Sequence, residues 1–124
     1  MRAFVLASTE TPPALTDLPL PQPQPGEVRL RNRACGLNFA DLLMIKGQYQ
    51  ERPALPFVMG MEVAGEVEAL GEGVRGLHIG QRVAAFAGQG GLAEYGCFPA
   101  SRCLPIPDAM PFEQAAGFMV GYGT

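Results

Sequence analysis

The chain has 124 residues, 48% hydrophobic and only 17% charged, with a formal net charge of -3. A chain of this length fits one domain and can bury a core without help from a disulfide or a metal. A single lysine, Lys46, and scattered arginines leave no basic patch for nucleic acid. The apolar runs are too short to span a bilayer, and "MRAFVLASTE" turns polar too soon for a signal peptide. A cytoplasmic protein with no membrane or nucleic-acid partner is expected.

The opening "MRAFVLA" reads as a strand, and "ALTDLPL" as its hairpin partner across Pro12 and Pro13. Proline then recurs at every second position from 19 to 25. Proline lacks the N–H and fixes φ, so this stretch reads as an extended surface connector, not a central strand. "EVRLRNRAC" alternates, with Val28, Leu30, Asn32 and Ala34 on one side and Arg29, Arg31 and Arg33 on the other. Period two predicts a half-buried strand with a solvated arginine face. "NFADLLMIKG" changes to helical spacing, with Asn38 as N-cap, Asp41 in the first turn and Gly47 at the end.

"MEVAGEVEALGEGV" returns to period two through Val63, Gly65, Val67 and Ala69. His78, the sole histidine, sits among glycine turns and reads as a solvated or structural residue. "GQRVAAFA" and "GLAEYGCF" read as strands joined by the "GQGG" turn, and "RCLPIP" as the last strand. "DAMPFEQAAGF" predicts a closing helix with Asp108 as N-cap and Pro111 and Glu113 near its first turn. Cys35, Cys97 and Cys103 are odd in number and lack C-x-x-C spacing, so they read as buried thiols. Gly (16) and Pro (12) exceed a fifth of the chain, which favours short strands and many turns. The sum is a mainly β domain over residues 1–124: a partly open β-barrel with two or three short helices at its rim.

"GLNFADLLMIKGQY", "PFVMGMEVAGEVEALGEGV", "IGQRVAAF", "GGLAEY" and "IPDAMPFEQAAGF" follow one another in register. Together they resemble the N-terminal, GroES-like half of the medium-chain dehydrogenase/reductase superfamily. Within it they are similar to the quinone oxidoreductase (zeta-crystallin) branch and its vesicle-amine-transport-like relatives. The resemblance covers essentially the whole chain. It implies an NADPH-dependent oxidoreductase acting on a quinone or enone, in a parent protein that is a homodimer. The family's nucleotide-binding Rossmann domain would hold most of the cofactor, and this chain shows no such unit. "GEGVRG" has the glycines of a dinucleotide fingerprint but lies between strands, so it fails the context test. The chain is therefore expected to be the catalytic half of a longer enzyme. With its cofactor face exposed at Phe118, Met119, Val120 and Tyr122, it would be inactive alone and prone to self-association.

In the zinc branch of the family, a cysteine and a histidine stand where this chain has Asn38 and Met61, with Glu62 retained. A neutral amide and a thioether do not balance Zn²⁺, so no zinc is expected. Without a metal, the oxygen that gains charge during hydride transfer needs hydrogen-bond donors. Asn38 and Tyr49 are the candidates for that catalytic role. Asn38, Phe39, Tyr49, Val120 and Thr124 are the candidates for cofactor contact, with Asp41 and Glu62 as supports. Gly80-Gln81-Arg82-Val83 stands where the family commonly has G-D-R-V, and the missing acid is expected to cost a local hydrogen bond. A zinc alcohol dehydrogenase domain and a free-standing GroES-like interaction module are the alternatives.

Overall fold

The computed structural model describes residues 1–8, 10–36, 55–87 and 89–116. Among these residues eight strands run in chain order. They are β1 (Arg2–Leu6), β2 (Ala14–Asp17), β3 (Glu27–Gly36), β4 (Phe57–Val58), β5 (Glu62–Leu70), β6 (Arg82–Phe86), β7 (Tyr95–Pro99) and β8 (Cys103–Pro105). One sheet has the order β2-β1-β4, the other β7-β3-β5-β6-β8, and every pairing is antiparallel. The helical pieces among the described residues are a 3₁₀ turn at Ala100–Arg102 and residues 112–116. The sheets meet where residues 92–94 cross β1, through an Ala3–Ala93 bridge and the bonds Phe4 N–H to Leu92 O (2.8 Å) and Glu94 N–H to Arg2 O (3.1 Å). The two sheets do not close on each other, so the barrel is partly open, as the turn-rich sequence predicts.

The inner face of the larger sheet carries Val28, Leu30, Val63, Val67, Val83, Ala85, Phe98 and Cys103 in one cluster. Burying side chains such as Phe98 and Leu30 contributes about 1.5–3 kcal/mol each. Leu6, Phe57, Met59 and Met61 form a second cluster between the sheets. On the outer face, Ala64 and Ala84 receive Ala115 and Ala116 of the terminal helix. Small residues on both sides let that helix lie close to the sheet. The first half of β5 is consequently buried on both faces, where period two predicts only one.

Two bulges revise the predicted facing of β3 and β5. Arg29 opposes Ala69 but Leu30 opposes Val67, so Glu68 is an extra residue on β5. Asn32 opposes Gly65 but Ala34 opposes Ala64, so Arg33 is an extra residue on β3. Each extra residue reverses the alternation beyond it. Ala34 therefore packs with Ala64 on the helix-covered face, and Ala69 turns to the side of Arg29. Arg31 and Arg33 are exposed, as predicted, while Arg29 is partly buried. Arg29 Nε donates to Glu68 Oε2 at 2.8 Å, its Nη1 donates to Pro21 O at 3.1 Å, and Arg33 Nε donates to Glu66 Oε1 at 2.6 Å. The bond to Pro21 pins the proline connector across the sheet.

Other expectations change as well. β4 has no counterpart in the sequence pattern; it exists through pairing with β1, Val5 opposite Val58 and Leu6 opposite Phe57. β6 and β7 are not neighbours, because β5 and β3 stand between them. Asp108 does not cap the closing helix: residues 107–110 form a turn, and Ala115 N–H donates to Pro111 O at 3.1 Å. Gln81 does not lose the turn bond, since its Oε1 accepts from His78 N–H at 3.1 Å. An amide oxygen serves there as a carboxylate oxygen would. His78 is exposed, as expected. Cys103 is buried, but Cys35 and Cys97 are only half-buried, and none of the three is in a disulfide.

Candidate functional site

The catalytic candidates Asn38 and Tyr49, the cofactor candidates Phe39, Val120 and Thr124, and Asp41 lie outside the described residues. The described residues do fix where the two segments carrying them start. β3 ends at Gly36, and the closing helix is described to Ala116. A Cβ built on Gly36 would fall 2.9 Å from Ala116 O and 3.2 Å from Glu62 Oε2. The chain thus enters residues 37–54 and residues 117–124 from adjacent points, with the Glu62 carboxylate between them. Only glycine at 36 leaves room for that approach.

Glu62 is 2% exposed and is the one charged side chain in the core among the described residues. It begins β5 opposite Gly36 on β3 and Phe86 on β6. Its neighbour Met61 is 4% exposed and packs with Leu6, Phe57 and Met59, with Phe4, Phe86 and Leu92 beside them. Met61 is thus part of an apolar cluster at the position where the zinc branch has its histidine. A thioether in that setting is a poor ligand for Zn²⁺. Among the described residues no group of three or more His, Cys, Asp or Glu could hold a metal ion. Nor do these residues fit a dinucleotide phosphate. The glycines at 73 and 76 have positive φ and join β5 to β6, with no helix N-terminus after them.

The corner behind this point is tightly built. Gly60 has φ of +98°, and a Cβ there would lie 2.8 Å from Cys35 Sγ. A Cβ on Gly91 would meet the same sulfur at 2.8 Å, and the Gly91 N–H donates to Gly60 O at 2.9 Å. Asn32, which sequence reasoning did not single out, donates from Nδ2 to Ala93 O (3.0 Å), Gly90 O (3.2 Å) and Gly91 O (3.4 Å). Arg82, also missed, holds the other exit. Its guanidinium donates to Pro107 O (3.0 Å), Asp108 O (2.6 Å) and Met110 O (2.7 Å), and lies 4.1 Å over the Phe112 ring. The signal for Asn32 was present as a polar residue at an inward strand position; nothing local marked Arg82.

A separate cleft of about 650 Å³ is lined by Leu18, Pro21, Glu27, Tyr95 and Cys97 among others. The Cys97 thiol is pushed up to about 11 by burial first, then by the Glu27 carboxylate, against the opposing pull of Arg29. Burial alone pushes Cys103 up to about 11. Neither is a thiolate nucleophile at neutral pH.

Two antiparallel sheets that do not close on each other, with the chain passing into residues 37–54 and 117–124 from adjacent points, define a GroES-like domain. The chain belongs to the alcohol dehydrogenase GroES-like domain family, whose pattern matches residues 24–108. Its relatives are quinone oxidoreductase-like and VAT-1-like members of the medium-chain dehydrogenase/reductases. It is 43% identical to the mouse "Synaptic vesicle membrane protein VAT-1 homolog-like" over 100% of this chain and 30% of that protein. It is 46% identical to the "Quinone oxidoreductase-like protein 2 homolog" of Nematostella vectensis, over 79% of this chain and 27% of that protein. Among solved structures it is similar to the quinone oxidoreductase of Thermus thermophilus, studied also as a complex with NADPH. That match has a TM-score of 0.83 and 46% identity over 97% of this chain and 37% of the other. The chain spans about a third of the length of these relatives.

Proposed function

We propose that the chain is the catalytic half of an NADPH-dependent oxidoreductase that reduces a quinone or an α,β-unsaturated carbonyl compound without zinc. The observation that carries the reading is the convergence of Gly36, Glu62 and Ala116, which starts both site-bearing segments at one corner. The burial of Met61 among apolar side chains supports a metal-free site. Similarity to a quinone oxidoreductase studied with NADPH supports the substrate and cofactor class. Bound nicotinamide supplies the hydride. The protein's part is to hold the acceptor and stabilise the oxygen on which charge develops. In this reading Asn38 donates from its side-chain amide and Tyr49 from its phenol. Glu62 supports the corner and Phe39, Val120 and Thr124 contact the cofactor. The parent protein is a cytoplasmic homodimer, and residues 1–124 alone do not turn over.

The test uses the longer protein that carries this domain. NADPH oxidation with a quinone is expected to survive dialysis against a chelator and to fall on changing Tyr49→Phe. Loss of turnover with the chelator, restored by zinc, sinks the metal-free reading. An unchanged kcat/KM in Tyr49→Phe removes Tyr49 from the chemistry.

A further inference from the structure

We propose that Asn32 is a positioning residue for the site, acting through residues 90–93 to fix where β3 delivers the chain into residues 37–54. The inference rests on the functional reading above and names a residue that reading does not use. The orientation of the Asn32 amide is unambiguous. Three carbonyl oxygens surround Nδ2, so the flipped amide would set oxygen against oxygen. Its own Oδ1 is buried and accepts no bond among the described residues. Such an orphan acceptor is unfavourable in a core, and an apolar residue there would avoid it. What the amide provides in return is an anchor for residues 90–93.

That anchor reaches the site in two steps. First, Gly91 and Leu92 donate to Gly60 O (2.9 Å) and Met59 O (2.8 Å), which ties residues 90–93 to the segment leading into Glu62. Second, Gly60 and Gly91 flank Cys35 Sγ so closely that neither position has space for a Cβ. Cys35 lies three residues before Asn38 in the sequence. Residues three apart on a regular strand face opposite ways. The bulge at Arg33 brings Asn32 and Cys35 to the same face, so both contact residues 90–93. The end of β3 is therefore clamped at the amide and at the thiol, on either side of the bulge.

Two variants, Asn32→Leu and Asn32→Asp, separate this role from a general effect on folding. Leucine removes the donors with an apolar side chain of similar volume. Aspartate keeps the shape and turns the donor into an acceptor. Iodoacetamide labelling is followed at each thiol by mass spectrometry, with steady-state kinetics in the longer protein. Loosening residues 90–93 is expected to raise the Cys35 labelling rate about tenfold, with Cys97 and Cys103 unchanged. Misplacement of residues 37–54 is expected to lower kcat with quinone about tenfold and to change KM for NADPH less. A folded variant with unchanged Cys35 labelling and unchanged kcat overturns the proposal. Faster Cys35 labelling with unchanged kcat also overturns it, because the clamp would then serve only packing. If the unaltered enzyme shows no turnover, the functional reading falls, and the Cys35 rate alone decides whether Asn32 sets this corner.

Discussion

Arg82 offers the sharpest test of how the exit toward residue 117 is held. Three of its N–H groups reach backbone carbonyls between Pro107 and Met110, and its plane covers Phe112. Hydrogen bonds from a charged donor are each worth up to about 1.5–3 kcal/mol when shielded. Here the bonds to Pro107 and Asp108 are exposed and only that to Met110 is partly buried. Water replaces the exposed bonds at little cost, so the Met110 bond and the ring contact dominate. Arg82→Met keeps much of the stem and removes the fork; it is expected to lose about 2 kcal/mol. For a domain of this size that is a fall in Tm of about 6–8 °C. Arg82→Lys should recover less than half, since an ammonium cannot span three carbonyls from one plane. Thermal unfolding by circular dichroism measures both, and hydrogen exchange should rise first at residues 107–116. The acceptors are dipoles, so the loss should persist in high salt. A lysine variant as stable as the parent, or a methionine variant within about 0.5 kcal/mol of it, refutes the reasoning.

The other predictions address the core, one glycine and the thiols. Phe98 is 1% exposed in the main cluster. Phe98→Ala is expected to cost about 3–5 kcal/mol by urea denaturation, and a cost below half that range would mean the site collapses onto its neighbours. Gly60→Ala faces both positive φ and a Cβ 2.6 Å from Leu92 N, whereas Gly73 has positive φ and open space. Gly73→Ala should therefore cost about 1–2 kcal/mol and Gly60→Ala clearly more; equal losses would show that the close approach is not felt. Folding raises Cys97 and Cys103 from an ordinary 9.0 to about 11. Between those values the unfolded chain has released protons that the folded chain retains, so stability falls as pH rises through 9 to 11. Changing both residues to alanine should flatten that decline, and an unaltered slope would assign it to other groups.

Much of the fold is legible in the sequence because strand alternation is local. β1, β2, β3, β5, β6 and β8 fall where the pattern places them. β4 is two residues long and owes its existence to a neighbour distant in sequence, which no local pattern encodes. The bulges at Arg33 and Glu68 are likewise invisible, since an inserted residue looks like any other until its partner strand is known. The start of the last helix is displaced because Arg82 holds the Pro107–Met110 carbonyls in a turn, and this delays the helix past Pro111. For the site, resemblance supplied Asn38 and Tyr49, and residue chemistry argued against a metal at Met61. The supports are tertiary. Gly36 and Ala116 are eighty residues apart in sequence, and no spacing brings them together.

The pair of bulges has a consequence for how this domain can change length. Arg33 adds one residue to β3 and Glu68 adds one to β5, and between them the register is offset by one step. Outside that window the offset cancels. Deleting Arg33 alone would heal the bulge on β3 and keep every pairing on either side of it, and deleting Glu68 alone would do the same on β5. Deleting both would restore a straight ladder with every remaining side chain on its present face. Each position is therefore a one-residue change of length that the sheet absorbs locally, and neither needs its mate on the other strand.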